Sequence, residues 1–281
     1  MRIIDVTSPG GWKHQAASVI GRRLLPDRYL EWNERWGAPS GRPVPAWKRR
    51  LPASGDRIAR QAGPFSFQPN NSTRIWEYPW AFHAVPVTAG MRVVDLGGGL
   101  SGLQFVLARS GASVIDVDPF VDYGTPGEYS AVDPAAFLDR LNRLFGTDVA
   151  LRRSEISDAG LDSASVDVVY CLSTIEHLSA AAVGAALDEI RRVLRPGGHC
   201  VLTIDLFLDL TPFTTRLDNR WGTNVDVRAL VQASGLDLVY GNPAELAGFA
   251  EFDADAVQAN LSEYLIGIYP GMAQCLILRK A

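Results

Sequence analysis

VVDLGGGLSG, residues 93–102, places an aspartate and a run of glycines directly after an apolar, strand-like run. Such a run is unsuited to a helix interior, where each glycine costs roughly 1 kcal/mol relative to alanine. Glycine instead permits positive φ angles and lets a ligand approach the backbone closely. The stretch therefore predicts a strand that ends at Asp95, a tight glycine turn, and a helix that starts near Ser101.

The composition of the chain excludes several classes of protein. Its 281 residues are 47% hydrophobic and 21% charged, with a net charge of -4, so there is no overall attraction to nucleic acid or an anionic membrane. We find neither a run of about 18 apolar residues nor the apolar core of a signal peptide. The three cysteines lie in apolar runs without metal-ligand or redox spacing. We therefore expect a cytoplasmic protein with no metal, no nucleic-acid partner and no membrane partner.

The first 80 residues differ from the rest in charge and amino-acid composition. They hold 13 Lys/Arg against 6 Asp/Glu and six of the seven tryptophans, whereas the remainder holds 14 Lys/Arg against 25 Asp/Glu. Residues 37–69 are rich in Pro and Gly. We predict a helical and irregular N-terminal extension over residues 1–75 and a regular domain over residues 76–281. A basic, aromatic extension suits a lid or the wall of a binding site; the alternative is an arm that only packs on the domain.

Beyond residue 81, apolar runs of strand length alternate with helical patterns. The runs are MRVVDL, ASVIDVD, DVALRRSEI, SVDVVYCL, GHCVLTIDL, LDLVYG and MAQCLILR. Continuous apolar runs indicate strands buried on both faces, and strands that alternate with helices form parallel, doubly wound sheets. We predict an α/β, Rossmann-like fold with a mostly parallel sheet of about seven strands.

The strand ends of such a sheet predict a nucleoside cofactor. Ligands bind there at the carboxyl ends of the strands, and the second run ends on Asp118, whose carboxylate can accept both hydroxyls of a ribose. Gly97, Gly99 and Gly102 match the G-x-G-x-x-G pattern of NAD-binding proteins. Asp95 argues against NAD, because a carboxylate two residues before the first glycine would repel a pyrophosphate. It suits a cofactor with a cationic amino-acid end.

Two later motifs are more specific. SVDVVYCLSTIEHL, residues 165–178, is followed by a helix and then by RVLRPGG, residues 192–198, before the fifth strand. Together with VVDLGGG and the strand that ends on Asp118, they resemble the class I S-adenosylmethionine-dependent methyltransferases that act on sugars and natural products. The resemblance covers residues 74–240. It implies an enzyme that transfers a methyl group from S-adenosylmethionine to a small molecule, with the basic extension favouring an anionic one.

The resemblance also implies a cofactor site. Its members are Asp95, Gly97, Gly98 and Gly99 at the methionine end, Asp118 at the ribose, Glu155 and Ile156 at the adenine, and Leu172 and Ser173 after the fourth strand. Asp158 is an alternative to Glu155. In RIWEYPWAFH, residues 74–83, Tyr78 corresponds to the aromatic residue that closes over the methionine, with Glu77 and Trp80 as alternatives.

The catalytic residues implied by the resemblance follow the fourth and fifth strands. His177 lies at the same sheet edge as the glycine loop, and in similar O-methyltransferases a histidine there pairs with an aspartate at the end of the fifth strand, here Asp205. Glu176 occupies a place where some members have a second histidine. We expect these three residues to serve a hydroxyl acceptor on a sugar or secondary metabolite. An N- or C-methyltransferase, an NAD-binding dehydrogenase, and a protein that has moved to other chemistry or scaffolding are the alternatives.

Overall fold

The computed structural model of the chain describes residues 18–45, 47, 55–121 and 133–281. The first 17 residues of the predicted extension, and residues 46 and 48–54, lie outside the described residues. Within the described parts of the chain, no helix combines the length and apolarity that crossing a bilayer requires.

Nine strands are described. They are β1 (Arg92–Leu96), β2 (Ser113–Val117), β3 (Ala150–Arg152), β4 (Val166–Leu172), β5 (Leu194–Phe207), β6 (Asp218–Asn219), β7 (Gly222–Thr223), β8 (Asp237–Tyr240) and β9 (Gly271–Arg279). Seven of them form one sheet in the order β3-β2-β1-β4-β5-β9-β8, and β6 pairs with β7 in a separate hairpin. Strands β1 to β5 pair in parallel, while β9 runs antiparallel to β5 and β8. The predicted seven-stranded, mostly parallel sheet is confirmed.

The helices cover both faces of this sheet. They are α1 (Asp27–Trp36), α2 (Gly55–Ala62), α3 (Arg74–Ala84), α4 (Gly102–Arg109), α5 (Pro134–Phe145), α6 (Ala180–Val193), α7 (Val227–Ser234) and α8 (Ala254–Ala259). The Ser101 hydroxyl accepts a hydrogen bond from the Leu103 N–H and so caps α4 where the sequence predicted a helix start. Such a cap stabilises a helix by about 0.5–2 kcal/mol.

Alternate residues of each central strand enter opposite cores. Val94 and Val169 belong to the core beneath α6 and α7, whereas Val93 and Val168, their sequence neighbours, belong to the core that contains α3, α4 and α5. Because side chains alternate across a strand, burial on both faces requires the continuous apolar runs seen in the sequence.

The described part of the N-terminal segment packs on one face of the sheet. Tyr29, Trp32 and Phe65 join Trp76 and Trp80 of α3 in the second of these cores. Edge-on ring contacts connect them: Tyr29 lies 5.3 Å from Trp76, and Trp32 lies 5.5 Å from Phe65, between ring centroids. These tryptophans therefore fill the core, and α3 is held against the carboxyl ends of the strands.

Candidate functional site

A cavity of about 1020 Å³ lies at the carboxyl ends of β1, β2 and β4. Its wall includes the residues at which these strands end, Leu96, Val117 and Leu172, and it continues into the segments 68–78, 154–157, 220–221 and 268–269. Small-molecule sites usually measure about 300–1,000 Å³. The cavity therefore has room for a nucleoside cofactor and a second small molecule beside it.

The glycine loop after β1 forms part of the cavity wall. Gly97 and Gly99 have φ angles of +70° and +56°, which other L-residues rarely adopt. A Cβ atom on Gly97 would lie 2.5 Å from Thr174 Oγ1. Gly97 and Gly98 line the cavity, whereas Gly99 lies behind them and donates its N–H to Asp118. Glycine is thus required for the shape of this wall.

Asp95 and Asp118, the two acids predicted at the cofactor, both line the cavity. Asp118 Oδ2 accepts the Gly99 N–H at 3.0 Å, and Oδ1 accepts the Phe120 N–H at 2.6 Å. Burial raises the pKa of Asp118. Burial, reinforced by the Asp118 carboxylate, raises the pKa of Asp95 to about 7, and Arg74 opposes this shift. Two backbone donors therefore hold the Asp118 carboxylate at the cavity.

The other residues predicted to bind the cofactor lie around the same cavity. They are Tyr78, Glu155, Ile156, Leu172 and Ser173. The Tyr78 hydroxyl donates to Asn70 Oδ1 at 2.7 Å, which connects α3 to the loop before it. Asp158, the alternative to Glu155, is exposed and does not line the cavity.

Arg74 is a cavity residue that the sequence reasoning missed. Its Nη1 donates to Glu77 Oε2 at 2.7 Å and to Ser173 Oγ at 2.9 Å. Within the described residues its Nε and Nη2 donate to no protein atom, so they remain available to a ligand. The RIWEYPWAFH motif carried this residue, but the motif was interpreted for the residue that closes over the methionine and not for Arg74.

His177 lines the cavity and is half-buried. Its Nδ1 contacts the backbone carbonyl oxygen of Trp221. A carbonyl oxygen only accepts, so Nδ1 carries the hydrogen, and in the neutral ring Nε2 keeps a free lone pair. Burial lowers the pKa of His177 below its ordinary value of 6.5. The imidazole is therefore neutral at pH 7, as a general base must be.

Asp205 does not pair with His177 as the sequence predicted. Its Oδ2 accepts the Tyr269 hydroxyl at 2.7 Å and its Oδ1 accepts the Ser173 hydroxyl at 3.3 Å, and no hydrogen bond between Asp205 and His177 exists among the described residues. Burial and the Glu77 carboxylate raise the pKa of Asp205 to about 6. The carbonyl of Trp221 takes the place next to the imidazole that was predicted for Asp205.

Glu176, the third residue of the predicted catalytic group, lies behind the cavity wall. Its side chain is buried, and Oε1 accepts the backbone N–H of Asp205 at 2.9 Å. Burial raises the pKa of Glu176 well above its ordinary value. The Glu176 carboxyl therefore contacts the β5 backbone rather than the cavity.

Further cavity residues come from loops in which no motif was recognised. Trp221 stacks on Tyr269 with ring centroids 5.1 Å apart, and both line the cavity with Ile268 and Asn71. The Asn71 Oδ1 accepts the Ile268 N–H at 3.2 Å, which joins the N-terminal segment to the C-terminal loop. The one available signal was Trp221 itself, the single tryptophan beyond residue 80.

The β6–β7 hairpin reaches His177 only because Gly222 has no side chain. A Cβ atom there would lie 2.1 Å from the Glu176 carbonyl oxygen, and its φ of +142° is unfavourable for other residues. We expect Gly222→Ala to lower the free energy of unfolding by about 1–3 kcal/mol, as overpacking does. Gly184→Ala in α6 is the control, because nothing lies within 4 Å of that Cβ position and a helical alanine stabilises by about 0.5–1 kcal/mol. Chemical unfolding measures both, and equal stabilisation by the two substitutions would contradict the packing argument.

The comparisons with known proteins agree with this geometry. A family model described as a methyltransferase domain matches residues 94–202. A ubiquinone biosynthesis O-methyltransferase of Xanthomonas oryzae is 30% identical over 183 residues, which are 62% of this chain and 68% of the relative. The chain belongs to the S-adenosylmethionine-dependent methyltransferase family. This methyltransferase therefore uses S-adenosylmethionine, and the alternative of an NAD-binding dehydrogenase is not favoured.

Two further matches concern a partial sequence relative and a solved structure. A protein of the same name from Psychrobacter arcticus is 31% identical over 115 residues, which are 41% of either chain, so the methyltransferase spans less than half of that relative in the match. Among solved structures, the [4+2]-cyclase SpnF has a TM-score of 0.51 at 16% identity, over 86% of this chain and 98% of that chain. The second match shows a shared fold.

The cavity fits the cofactor of this family. It offers the carboxylates of Asp95 and Asp118, the unused donors of Arg74, and a glycine loop with no room for a Cβ atom at Gly97 or Gly98. Metal ligands are not gathered there, since the described residues contain no group of three His, Cys, Asp or Glu side chains that could hold an ion.

Proposed function

We propose that this methyltransferase methylates a hydroxyl group of a small molecule, a sugar or a secondary metabolite. The observation that carries the proposal is His177, which lines the same cavity as the proposed cofactor residues and whose Nε2 has no hydrogen-bond partner among the described residues. A hydroxyl is a weak nucleophile until its proton is removed, and a neutral imidazole is suited to this at pH 7. The relatives from Xanthomonas oryzae and Psychrobacter arcticus carry the name O-methyltransferase, which supports the same reading.

The cofactor residues divide by chemistry. Bound S-adenosylmethionine supplies an electrophilic methyl group on a sulfonium. We propose that Asp118 accepts the ribose hydroxyls, that Arg74 holds the methionine carboxylate through its unused donors, and that Asp95 faces the cationic amine. Glu155 and Ile156 flank the adenine in this proposal. Tyr78, Leu172 and Ser173 close the remaining wall, with Gly97, Gly98 and Gly99 shaping the loop.

The proposed proton transfer involves one residue and its backbone support. When the methyl carbon passes from the sulfonium sulfur to the acceptor oxygen, the C–S bond breaks and a neutral thioether is left, and the hydroxyl proton would move to His177 Nε2. The resulting imidazolium keeps its Nδ1–H on the Trp221 carbonyl, whose oxygen stabilises the positive charge. Alignment of acceptor and methyl group in the cavity lowers the barrier further. Asp205, with Tyr269 and Ser173, supports the wall of the acceptor space.

We also propose that the N-terminal segment is part of the acceptor wall. Gln68, Asn71 and Arg74 line the cavity, and Gln68 Oε1 accepts the Leu100 N–H of the glycine loop at 2.8 Å. Arg220 also lines the cavity, with its guanidinium 4.2 Å from the Trp221 ring, and it forms no ion pair with any described residue. An exposed cation at the cavity, together with the basic extension over residues 1–75, favours an anionic acceptor.

Transfer of label from methyl-labelled S-adenosylmethionine tests the proposal. The acceptors are matched pairs that differ in one atom, such as a catechol and its aminophenol, with and without a carboxylate, and sugars with and without a phosphate. We expect label on oxygen and faster transfer to the anionic member of each pair. Label confined to the nitrogen analogue would replace the proposal with an N-methyltransferase. Label on oxygen that is indifferent to charge would overturn only the anionic preference.

A further inference from the structure

Two carboxylates lie side by side under the glycine loop. Asp95 on β1 and Asp116 on β2 are register partners, and they are 2% and 0% exposed. A Cβ atom on Gly98 would lie 2.6 Å from Asp95 Oδ2 and 2.8 Å from Asp116 Oδ1, so both oxygens lie beneath the same residue. Asp116 belongs to the run ASVIDVD, and no motif assigned it a role.

These facing oxygens have no hydrogen-bond partner within the described residues. Asp95 Oδ2 and both Asp116 oxygens are enclosed and unsatisfied. The Gly98 N–H lies near enough to favour the ionised form of Asp116, but its geometry is not that of a hydrogen bond. Asp95 Oδ1 differs, because it is not among the enclosed atoms and Asp95 lines the cavity. Asp95 therefore connects the cavity to Asp116.

Two adjacent buried carboxylates do not both ionise without a cation between them. The titratable groups that act on the pair are Asp118 beyond β2, Tyr170 and Cys171 on β4, and Arg74 and Tyr78 on α3. Arg74 acts on Asp95 and already pairs with Glu77. Burial, with the charges of Asp95 and Asp118, raises the pKa of Asp116 well above its ordinary value. The proton of the pair therefore belongs on Asp116.

We infer that Asp116 is a positioning residue for the cofactor site: its protonated carboxyl donates a hydrogen bond to Asp95 Oδ2, keeps Asp95 ionised, and leaves Asp95 Oδ1 facing the cavity for the cationic end of S-adenosylmethionine. The bond satisfies two of the enclosed oxygens at once. Without this donor, Asp95 becomes a buried carboxylate whose enclosed oxygen has no partner, and it takes up the proton itself.

Asp116→Asn and Asp116→Leu are a matched pair for this inference, because asparagine keeps a donor in the same place and leucine removes it at similar volume. The probe is S-adenosylhomocysteine, titrated calorimetrically between pH 6 and 9. We expect the affinity of Asp116→Asn to stay within about threefold of the wild type. At pH 7 Asp116→Leu should bind at least about tenfold more weakly, the size expected for one lost hydrogen bond to a charged group.

The pH dependence separates positioning from a merely structural role. Removing the donor raises the pKa of Asp95, so the Asp116→Leu protein should regain affinity as the pH rises and Asp95 ionises. A second readout needs no ligand: the infrared difference spectrum between the wild type and Asp116→Asn at pH 7 should contain the carbonyl band of one protonated carboxyl, because the contributions of the other carboxyls cancel. Equal weakening by Asn and Leu, a pH-independent defect in Asp116→Leu, or a difference spectrum without that band would overturn the inference. If the Asp116→Leu protein does not fold, the infrared band alone tests whether Asp116 is protonated, and its absence overturns the inference.

Discussion

Replacing His177 with alanine should slow methyl transfer by about 10²–10⁴-fold, the usual contribution of a general base. The affinity for S-adenosylhomocysteine should not change, since none of the proposed cofactor contacts involves the imidazole. Single-turnover transfer from labelled S-adenosylmethionine gives the rate, and calorimetry gives the affinity. His177→Asn should be nearly as slow, because its amide can donate to the Trp221 carbonyl but cannot take up a proton at neutral pH.

The matched control is His83→Ala. His83 is a half-buried imidazole on α3 that stacks on Tyr29, with ring centroids 6.0 Å apart, and it does not line the cavity. Burial lowers its pKa to about 4, so it is neutral at pH 7 like His177. Its removal should leave transfer unchanged. If His177→Ala turns over near the wild-type rate, alignment alone drives the reaction, and a nitrogen or carbon acceptor becomes the better interpretation.

The rate should also depend on pH in a defined direction. Only the neutral imidazole accepts a proton, so the rate rises with pH as His177 loses its proton and then levels off. Because burial lowers the pKa of His177, this rise should lie below pH 6.5. The His177→Ala protein should lack the rise, which a rate profile between pH 5 and 8 can show.

The sequence predicted those parts of the site that depend on neighbours along the chain. The glycine loop, the acid at the end of β2 and the residues after β4 each follow a strand directly, so recognising the strand places the residue at the cavity. Strand recognition succeeded because burial on both faces leaves a continuous apolar run. Asp116 lies inside such an apolar run, ASVIDVD, and was not recognised as a site residue. Its role depends on Asp95, its register partner on another strand.

The parts that could not be predicted depend on contacts between distant segments. His177 contacts the carbonyl of Trp221, and a backbone carbonyl has no signature in a sequence. Asp205 accepts a hydrogen bond from the Tyr269 hydroxyl. Tyr269 lies 64 positions later, in a C-terminal stretch outside the resemblance to the methyltransferases. The family resemblance implied that His177 pairs with Asp205, but in the structure the two side chains have other partners.

Replacing Asp118 with alanine should weaken S-adenosylhomocysteine binding by about 10² or more. Two ribose hydrogen bonds to a charged acceptor would be lost, each worth roughly 1.5–3 kcal/mol, and the N–H groups of Gly99 and Phe120 would lose their acceptor. Calorimetric titration measures the effect, with thermal unfolding to show that the protein is folded. Asp118→Asn keeps one acceptor oxygen without the charge and should fall between the wild type and the alanine protein.

Asp158→Ala is the control for the loss of an acid near the same site, because Asp158 is exposed and outside the cavity wall. The affinity of Asp158→Ala for S-adenosylhomocysteine should equal that of the wild type. This result would also leave Glu155, rather than Asp158, as the acid at the adenine. A folded Asp118→Ala protein with normal affinity would remove the ribose contact from the proposal. The raised pKa of Asp118 provides a second test of the ribose contact.

The Asp118 carboxylate must be ionised to accept both ribose hydroxyls. The affinity of the wild type for S-adenosylhomocysteine should therefore decline as the pH falls through the pKa of Asp118. The alanine protein should lack this part of the pH dependence, because it has no carboxyl to protonate at that position.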